Sequence, residues 1–481
     1  MNLELFIPEL SLAGFAIVVI LLDLFIQRKG WLVVISLAGI VVAAGFTLAM
    51  WGGTSQAIFN NMLAVDNFAL FFKLLFLGIA ALIILSSVDY VSKFTHFQGE
   101  YYALILISTL GMMLMAATTE LISLYIALEL TSISLYVLVG FLKNSKSSEA
   151  SLKYLLLGAV ASAILLYGMA LVFGFTGKTQ LGEIAQVIQT TSASPALILG
   201  IVLMIAGFGF KMAAVPFHMW VPDVYEGAPT PITAYLSVAS KAAGFAIILR
   251  VFYSAFGLPQ WLSLDWGLTI AVLAAIGMTL GNVAAIPQTN IKRMLGYSSI
   301  AQAGYLMIGL ATVGFSPAAN ILGQSGVLFF LASYALTNLG AFIAIIAISN
   351  KLNSDQIKDY SGMFKRAPFL TLALTLCLFS LIGMPPAAGF MAKFYIFSSA
   401  VQHNLLWLVV IAVINSVISA YYYLRVAKVM WLGEPASEEK VPSSGALRVA
   451  LALSCFGVLL LGIIPGYVMR LAEMAASMFV F

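Results

Sequence analysis

"IVLMIAGFGFKMAAVPFHMW" occupies residues 201–220, and its reading decides the fold. Twenty mostly apolar residues match the hydrocarbon thickness of a bilayer at 1.5 Å per helical residue. Lys211 stands in the middle of the run. A charged side chain at that depth costs roughly 2.5–3.5 kcal/mol even on the lenient insertion scale, so it marks an ion or proton path by default. Pro216 lacks a backbone donor and clashes one turn back, so the helix is expected to break beside the lysine. The same combination recurs in "LCLFSLIGMPPAAGFMAKFYIF" (376–397), where Gly383, Pro385, Pro386 and Gly389 precede Lys393. A third lysine, Lys241, lies in the apolar run before Arg250, and one deep acid, Glu129, lies midway along "LISLYIALELTSISLYVLVGF" (121–141).

The rest of the chain is built to match. Hydrophobic residues make up 62% and charged residues 9%, where a soluble domain carries roughly 25% charge. Mean hydropathy is +1.05. Fourteen windows of spanning length can be placed between residues 3 and 474, which predicts an all-α polytopic membrane protein of about fourteen transmembrane helices, with helices 7 and 12 discontinuous. The opening "MNLELFIPEL" carries Glu4 and Glu9 and no positive n-region, so the first helix is read as a retained span rather than a cleavable signal. With an even number of spans and the N-terminus outside, 15 basic residues from Arg28 to Arg448 fall on the inner side. Only Lys178, Arg470 and Arg250 fall on the outer side, which satisfies the positive-inside rule.

The two breaks are five helices apart. A unit of five spans ends on the face opposite its start, so helices 4–8 and 9–13 are expected to form an inverted repeat with sites at the broken helices. The corresponding segments are an N-terminal three-helix segment (1–100), a first repeat (101–253), an inverted second repeat (264–430) and a C-terminal helix (445–481). The outer segment 176–195 reads as a short surface helix.

Polar residues recur on single faces of these helices. Tyr125, Ser132 and Tyr136 accompany Glu129; Thr233 and Ser237 precede Lys241 at four-residue steps. Ser298, Gln302 and Tyr305 form a third stripe, and Ser333, Tyr334, Thr337 and Asn338 a fourth. Such stripes are read as facing the bundle interior. Lys211 shares a face with His218 if its helix continues. Burial raises a carboxylate pKa and lowers a lysine pKa, and pairing reverses both shifts. A Glu129–Lys211–Lys241–Lys393 series is therefore loaded and unloaded when one neighbour moves. Lys73 and Lys153 admit a structural ion-pair reading, the latter four residues after Glu149. His218 reads equally as a hydrogen-bonded core histidine. Glu4, Glu9 and Asp23 read as solvated edge residues, and Tyr421–Tyr423 as an interface belt.

Several chemistries have no residues to carry them. Cys377 and Cys455 stand alone in apolar helices, with no CxxC pair, and His96, His218 and His403 are scattered. No dinucleotide fingerprint or Walker loop occurs. Redox or nucleotide chemistry that drives the protein is expected on another chain, and no nucleic-acid partner is implied.

"KMAAVPFHMWVPDVYEGAPTPITAYLSVASKAAGFA" (211–246) resembles the antiporter-like subunits of respiratory complex I, the proton-pumping NADH–quinone oxidoreductase. "PDVYEGAPTP" (222–231) is similar to the subunit-N branch of that family, and "NIKRMLGYSSIAQAGYLMIG" (290–309), "GMPPAAGFMAKFYIF" (383–397) and "IPEL" (7–10) fit as well. Lys393 stands where the sibling M branch carries an acid, and the chain lacks the lateral helix of the L branch. The resemblance implies a Glu129–Lys211 ion pair, Lys241 as central relay, Lys393 toward the periplasmic exit, and Lys153 and His218 as further protonatable positions. It also implies subunit M and the small hydrophobic membrane-arm subunits as partners in a bacterial plasma membrane, with both termini periplasmic. NADH, FMN, iron–sulfur clusters and quinone belong to partner subunits, and no cofactor is expected on this chain. The rival reading is a subunit of a multi-subunit cation/proton antiporter, which needs no NADH. A non-conducting scaffold is a third, separable by replacing Lys211 or Lys393 with alanine.

Overall fold

Lipid offers no hydrogen-bond partner, so a chain this apolar must satisfy its backbone internally. It does so almost entirely by helices. A computed structural model describes residues 3–93, 97–190, 194–256, 260–313, 321–435 and 437–477; His96 lies outside them. The first half comprises α1 (Ile7–Phe25), α2 (Gly30–Ala49), α3 (Asn67–Ser87), α4 (Gln98–Ala117), α5 (Leu121–Val139), α6 (Ser145–Thr176), α7 (Leu181–Thr190), α8 (Pro195–Met212), α9 (Val221–Gly227), α10 (Thr230–Tyr235) and α11 (Lys241–Val251). The second half comprises α12 (Gln260–Ala285), α13 (Ile291–Val313), α14 (Ile321–Leu352), α15 (Met363–Arg366), α16 (Pro368–Ile382), α17 (Ala388–Gln402), α18 (Leu406–Leu432), α19 (Gly445–Ile463) and α20 (Gly466–Ala476). Among the described residues, 12 helices are long and apolar enough to cross a membrane. The protein is an all-α polytopic membrane protein.

Two helices form the centre. Residues 230–256 run as one helix through α10 and α11, with π-turns at Leu236–Ser240 and Phe252–Phe256, and are buried except at Phe252 and Ser254. A π-turn inserts one residue and rotates the helix beyond it, here immediately before Lys241. The second central helix is α14, buried on almost every side. Around them, α1, α2, α6, α18 and α19 turn most of their apolar surface outward. Small residues let outer helices approach closely, as is usual in lipid. Gly168 of α6 and Gly200 of α8 face each other, and a Cβ on either would meet the other's carbonyl oxygen at 2.7 and 3.0 Å.

Both expected breaks are present. α8 ends at Ala213 in the left-handed region (φ 60°), and residues 213–220 turn before α9. α16 ends at Gly383 (φ 94°), and α17 resumes at Ala388. That φ needs glycine, because a Cβ there would also press on the Lys393 side chain at 3.0 Å. Pro216 and Pro386 both follow cis peptide bonds. The helix does not continue from Lys211 to His218, so their expected shared face does not exist. The expected surface helix forms as α7, with Leu181, Ile184 and Ile188 buried. A two-stranded antiparallel hairpin, β1 (Gln56–Ile58) and β2 (Leu63–Val65), was not foreseen; its turn holds Phe59, Asn60 and Asn61 at positive φ.

Two charged residues expected at the edges, Glu9 and Arg250, are buried instead, and a third, Asp23, is partly covered. Glu9 of α1 is 2% exposed and pairs with Lys73 of α3 at 2.6 Å. Neither can be solvated, so each neutralises the other. Asp23 pairs with Lys29 at 2.8 Å. Arg250, expected near the outer surface, is wholly buried: its guanidinium grips Asp66 at 2.6 and 3.0 Å and the Ala116 carbonyl at 2.7 Å. Asp66 also caps α3 by accepting from Ala69 N at 2.7 Å. This clamp ties α11, α3 and the end of α4. Removing one partner of such a buried pair costs about 3–5 kcal/mol, whereas apolar replacement of both is often neutral. Arg250→Ala is therefore expected to lower the melting temperature sharply, and an Arg250→Met/Asp66→Leu double variant much less, as read by thermal unfolding in detergent.

Candidate functional site: three buried amines

Lys211 occupies the last turn of α8, where the break leaves the helix end inside the protein. It is 4% exposed, and its Nζ donates to Ser132 Oγ of α5 at 2.6 Å. Glu129 lies one turn earlier on α5, half-buried, and accepts a short hydrogen bond from Ser162 Oγ of α6. Among the described residues no ion pair joins Glu129 to Lys211. The two charges lie beyond contact distance and each rests on a serine, while Glu129 is still near enough to act on the amine by its charge. Glu129 borders the exposed stripe Ile122, Ile126, Ile133 and Val137, at the edge of the interior face rather than in it.

Lys241 begins α11 and is 2% exposed. Its Nζ donates to the Ser299 carbonyl and to Ser299 Oγ, the latter at 2.5 Å, and lies 5.2 Å from the Tyr334 ring centre. Tyr225 and Tyr334 both contact Ser299 Oγ at 3.2 Å. Lys393 lies just past the second break. Its Nζ donates to the Ile382 carbonyl at 2.8 Å, the Leu381 carbonyl at 3.3 Å and Ser416 Oγ at 3.0 Å, over the Tyr305 ring at 4.4 Å. Carbonyls freed where α16 stops are what receive this amine. Neither Lys241 nor Lys393 has a carboxylate within ion-pair distance among the described residues.

Polar side chains cluster from one of these lysines to the other. Ser298, next to Ser299, shares a hydrogen bond with Tyr423, whose hydroxyl approaches Tyr422 and Gln302. Tyr422 donates to Asn282 Oδ1 at 2.9 Å; Asn282 reaches Tyr305 at 3.5 Å, and Ser416 bonds Tyr305 at 3.2 Å beside Lys393. Gln302 donates to the Leu381 carbonyl that Lys393 also uses. The expected stripes on α13 and α14 are therefore interior; Asn338 donates to Ser237 at 2.7 Å, and Thr337 meets Ser380 at 2.9 Å. Tyr422 and Tyr423 are fully buried, which corrects their reading as an interface belt; only Tyr421 faces outward.

Between Lys211 and Lys241 the connection is interrupted. Tyr154 stacks on Phe210, and its hydroxyl approaches Ser240, but neither oxygen makes a hydrogen bond of normal geometry. His218, in the break, is 7% exposed with Nδ1 unpartnered. Buried polar atoms left without a protein partner are usual water sites.

Lys153 is apart from this row. Its side chain is 43% exposed and pairs with Glu149 at 2.8 Å and Asp223 at 2.9 Å, the i,i+4 pair foreseen plus a long-range one. Arg293 completes the cluster with Asp223 at 2.6 Å and Glu226 at 3.1 Å. Burial works against the Asp223 charge, but Lys153 and Arg293 outweigh it and hold its carboxyl below the usual carboxylate range. Its contribution is therefore complete above the unfolded value near ~3.9 and lost only as pH falls through the lowered folded value.

Among the described residues no three His, Cys, Asp or Glu side chains gather as a metal site. Cys377 and Cys455, far apart in sequence, come near each other between α16 and α19 as free thiols.

Residues 118–419 match the family described as NADH:quinone oxidoreductase/Mrp antiporter, TM. A relative from Dehalococcoides mccartyi, NADH-quinone oxidoreductase subunit N, is 52% identical over 485 residues, covering 99% of this chain and 100% of its own. The chain belongs to this antiporter-like family. A chain of respiratory complex I from Thermus thermophilus with bound aureothin is 33% identical with TM-score 0.82, covering 97% of this chain and 99% of that one. A chain of the Mrp complex from Dietzia sp. shares the fold with TM-score 0.84 at 21% identity, over 100% of this chain and 98% of that one.

Sequence reading missed Ser162, Asn282, Ser299, Ser416 and the buried Tyr422–Tyr423 pair. Only Asn282 left a signal, as a lone amide in the apolar helix α12. The second break is also held from outside: a Cβ on Gly462 of α19 would overlap the Pro386 carbonyl oxygen, whereas one on Gly445 meets nothing within 4 Å. Overpacking costs about 1–3 kcal/mol. Gly462→Ala is expected to lower thermal stability by that amount while Gly445→Ala does not, as read by melting of the two variants side by side.

Proposed function

We propose that this chain is a proton-translocating membrane-arm subunit of an NADH–quinone oxidoreductase, in the N position, and that Glu129, Lys211, Lys241 and Lys393 carry the protons. The observation that carries the relay is the row of buried amines whose ends rest on serine, tyrosine and carbonyl oxygens. A buried ammonium so held is solvated by weak, exchangeable acceptors, and a change in one neighbour alters its proton affinity. From Lys241 to Lys393 the hydroxyl and amide side chains supply the route. Between Lys211 and Lys241, water at Tyr154, Ser240 and His218 supplies it. Electron transfer from NADH to quinone takes place on partner subunits with their FMN and iron–sulfur clusters; this chain receives the conformational or electrostatic input.

Counting α13 and the broken α16–α17 pair as crossings gives fourteen spans, with helices 4–8 (101–253) and 9–13 (264–430) as inverted repeats between the 1–100 and 445–481 segments. The positive-inside balance puts both termini in the periplasm of a bacterial plasma membrane. Subunit M and the small hydrophobic subunits are its neighbours. Lys153 acts at the inner rim rather than in the row, and Glu129 acts on Lys211 through its charge.

Membrane vesicles containing the assembled complex test this directly. Lys211→Ala, Lys241→Ala and Lys393→Ala are each expected to lower protons moved per NADH oxidised, and general acid–base steps of this kind typically lose roughly 100-fold or more at the altered site. Unchanged stoichiometry in all three makes the chain a scaffold. Sodium- or potassium-driven proton exchange without NADH favours the cation/proton antiporter reading, as does purification without a flavin-containing arm.

A further inference from the structure

We propose that Asp223 is a positioning residue that holds α6, α9 and α13 in register, so that the relay groups those helices carry stay aligned. One carboxylate makes both ties: Oδ1 accepts from Arg293 Nη1 of α13 at 2.6 Å, and Oδ2 accepts from Lys153 Nζ of α6 at 2.9 Å. Each tied helix reaches the row. Six residues beyond Arg293, about 9 Å along α13, Ser299 receives Lys241. Nine residues beyond Lys153, about 14 Å along α6, Ser162 bonds Glu129. α9 itself continues directly from the 213–220 turn that ends the Lys211 helix. Lys292, beside Arg293, donates to the Ala228 carbonyl at 2.7 Å and so fixes the far end of α9, where the central helix begins.

These ties surround a polar cavity of about 230 Å³ lined by Lys146, Glu149, Lys153, Asp223, Glu226 and Arg293. The pairs are one-third to nearly one-half exposed, and pairs so wet contribute little to folding. Geometry, not stability, is what they set: charge-assisted contacts to both oxygens of one carboxylate fix three helix ends at once. The mechanism is the same whether the tie strengthens or relaxes in a pumping cycle, because two relay contacts, Ser162 to Glu129 and Ser299 to Lys241, lie on the tied helices.

The inference rests on the proton-translocating reading above, and its test separates the two. In vesicles with the assembled complex, Asp223→Asn and Arg293→Gln are expected to leave NADH oxidation intact and lower protons pumped per NADH by roughly twofold or more. Arg293→Lys keeps a charge-assisted contact to Asp223 without disturbing Lys153, and is expected to retain most of the coupling that Arg293→Gln loses. Raising KCl screens wet ion pairs, so it should lower coupling in the parent and leave Asp223→Asn unchanged. Normal coupling in Asp223→Asn overturns the proposal. So does a loss in Asp223→Asn with normal coupling in Arg293→Gln, which makes the Asp223 proton rather than the tie the active element, and so does failure of both single variants to assemble, which makes the cluster an assembly contact. Lys241→Ala measured alongside distinguishes the levels: if it too pumps normally, the translocation reading falls, whereas a defect there with a normal Asp223→Asn overturns only the positioning role.

Discussion

The structure depends on ammonium groups taken out of water without a carboxylate at contact distance. Isolated burial of such an ion costs several kcal/mol after relaxation, and hydrogen bonds to a charged group return about 1.5–3 kcal/mol each. Lys241 and Lys393 find two or three such acceptors apiece, and Lys211 finds one. At Lys393 two of the three acceptors come from a place where regular helix fails, whereas Ser132, Ser299 and Ser416 lie within α5, α13 and α18. Ile382 and Leu381 carbonyls are free because α16 stops there, and Lys241 is presented by the π-turn just before it. At Lys393 break and lysine therefore form one device: the irregular backbone needs a donor, and the buried donor needs freed oxygens.

Elsewhere the bundle uses charge differently. Arg250–Asp66 and Lys73–Glu9 are closed pairs, with opposite charges at 2.6 Å and no access to solvent. Such pairs staple helices and have little reason to change state. The row of amines leaves each charge only partly compensated, by neutral oxygens whose arrangement depends on neighbouring helices. The cluster at Asp223 is a third type, partly wet and shared among three helices. Within one chain, the same residue types are thus divided among fastening, carrying and aligning by how completely each charge is paired.

Much of this was legible before the fold was seen. Lys211, Lys241 and Lys393 announced themselves because a charge within an apolar run is costly wherever the run packs, and Pro216 and Pro385–Pro386 announced the breaks because proline cannot complete a helix. The stripes around Gln302 and Asn338 were readable for the same periodic reason. Glu9 and Arg250 were misread because position near a span's end says nothing about whether a neighbour covers it. Tyr422 and Tyr423 were misread because a tyrosine suits a membrane interface and a buried hydroxyl network equally well.

Sequence alone determined the class: length, hydropathy and four misplaced charges require a many-helix membrane protein with a polar interior. It also determined which amines are deep, since depth follows position along a span. Only tertiary structure decided their partners. Ser132, Ser162, Ser299 and Ser416 are hydroxyls indistinguishable from a dozen others along the chain, and they matter because helices distant in sequence bring them against a lysine or Glu129. Periodicity fixes which face of a helix is polar. It does not fix which neighbour that face meets, and the partner is what sets whether a buried charge is locked or free to give up its proton.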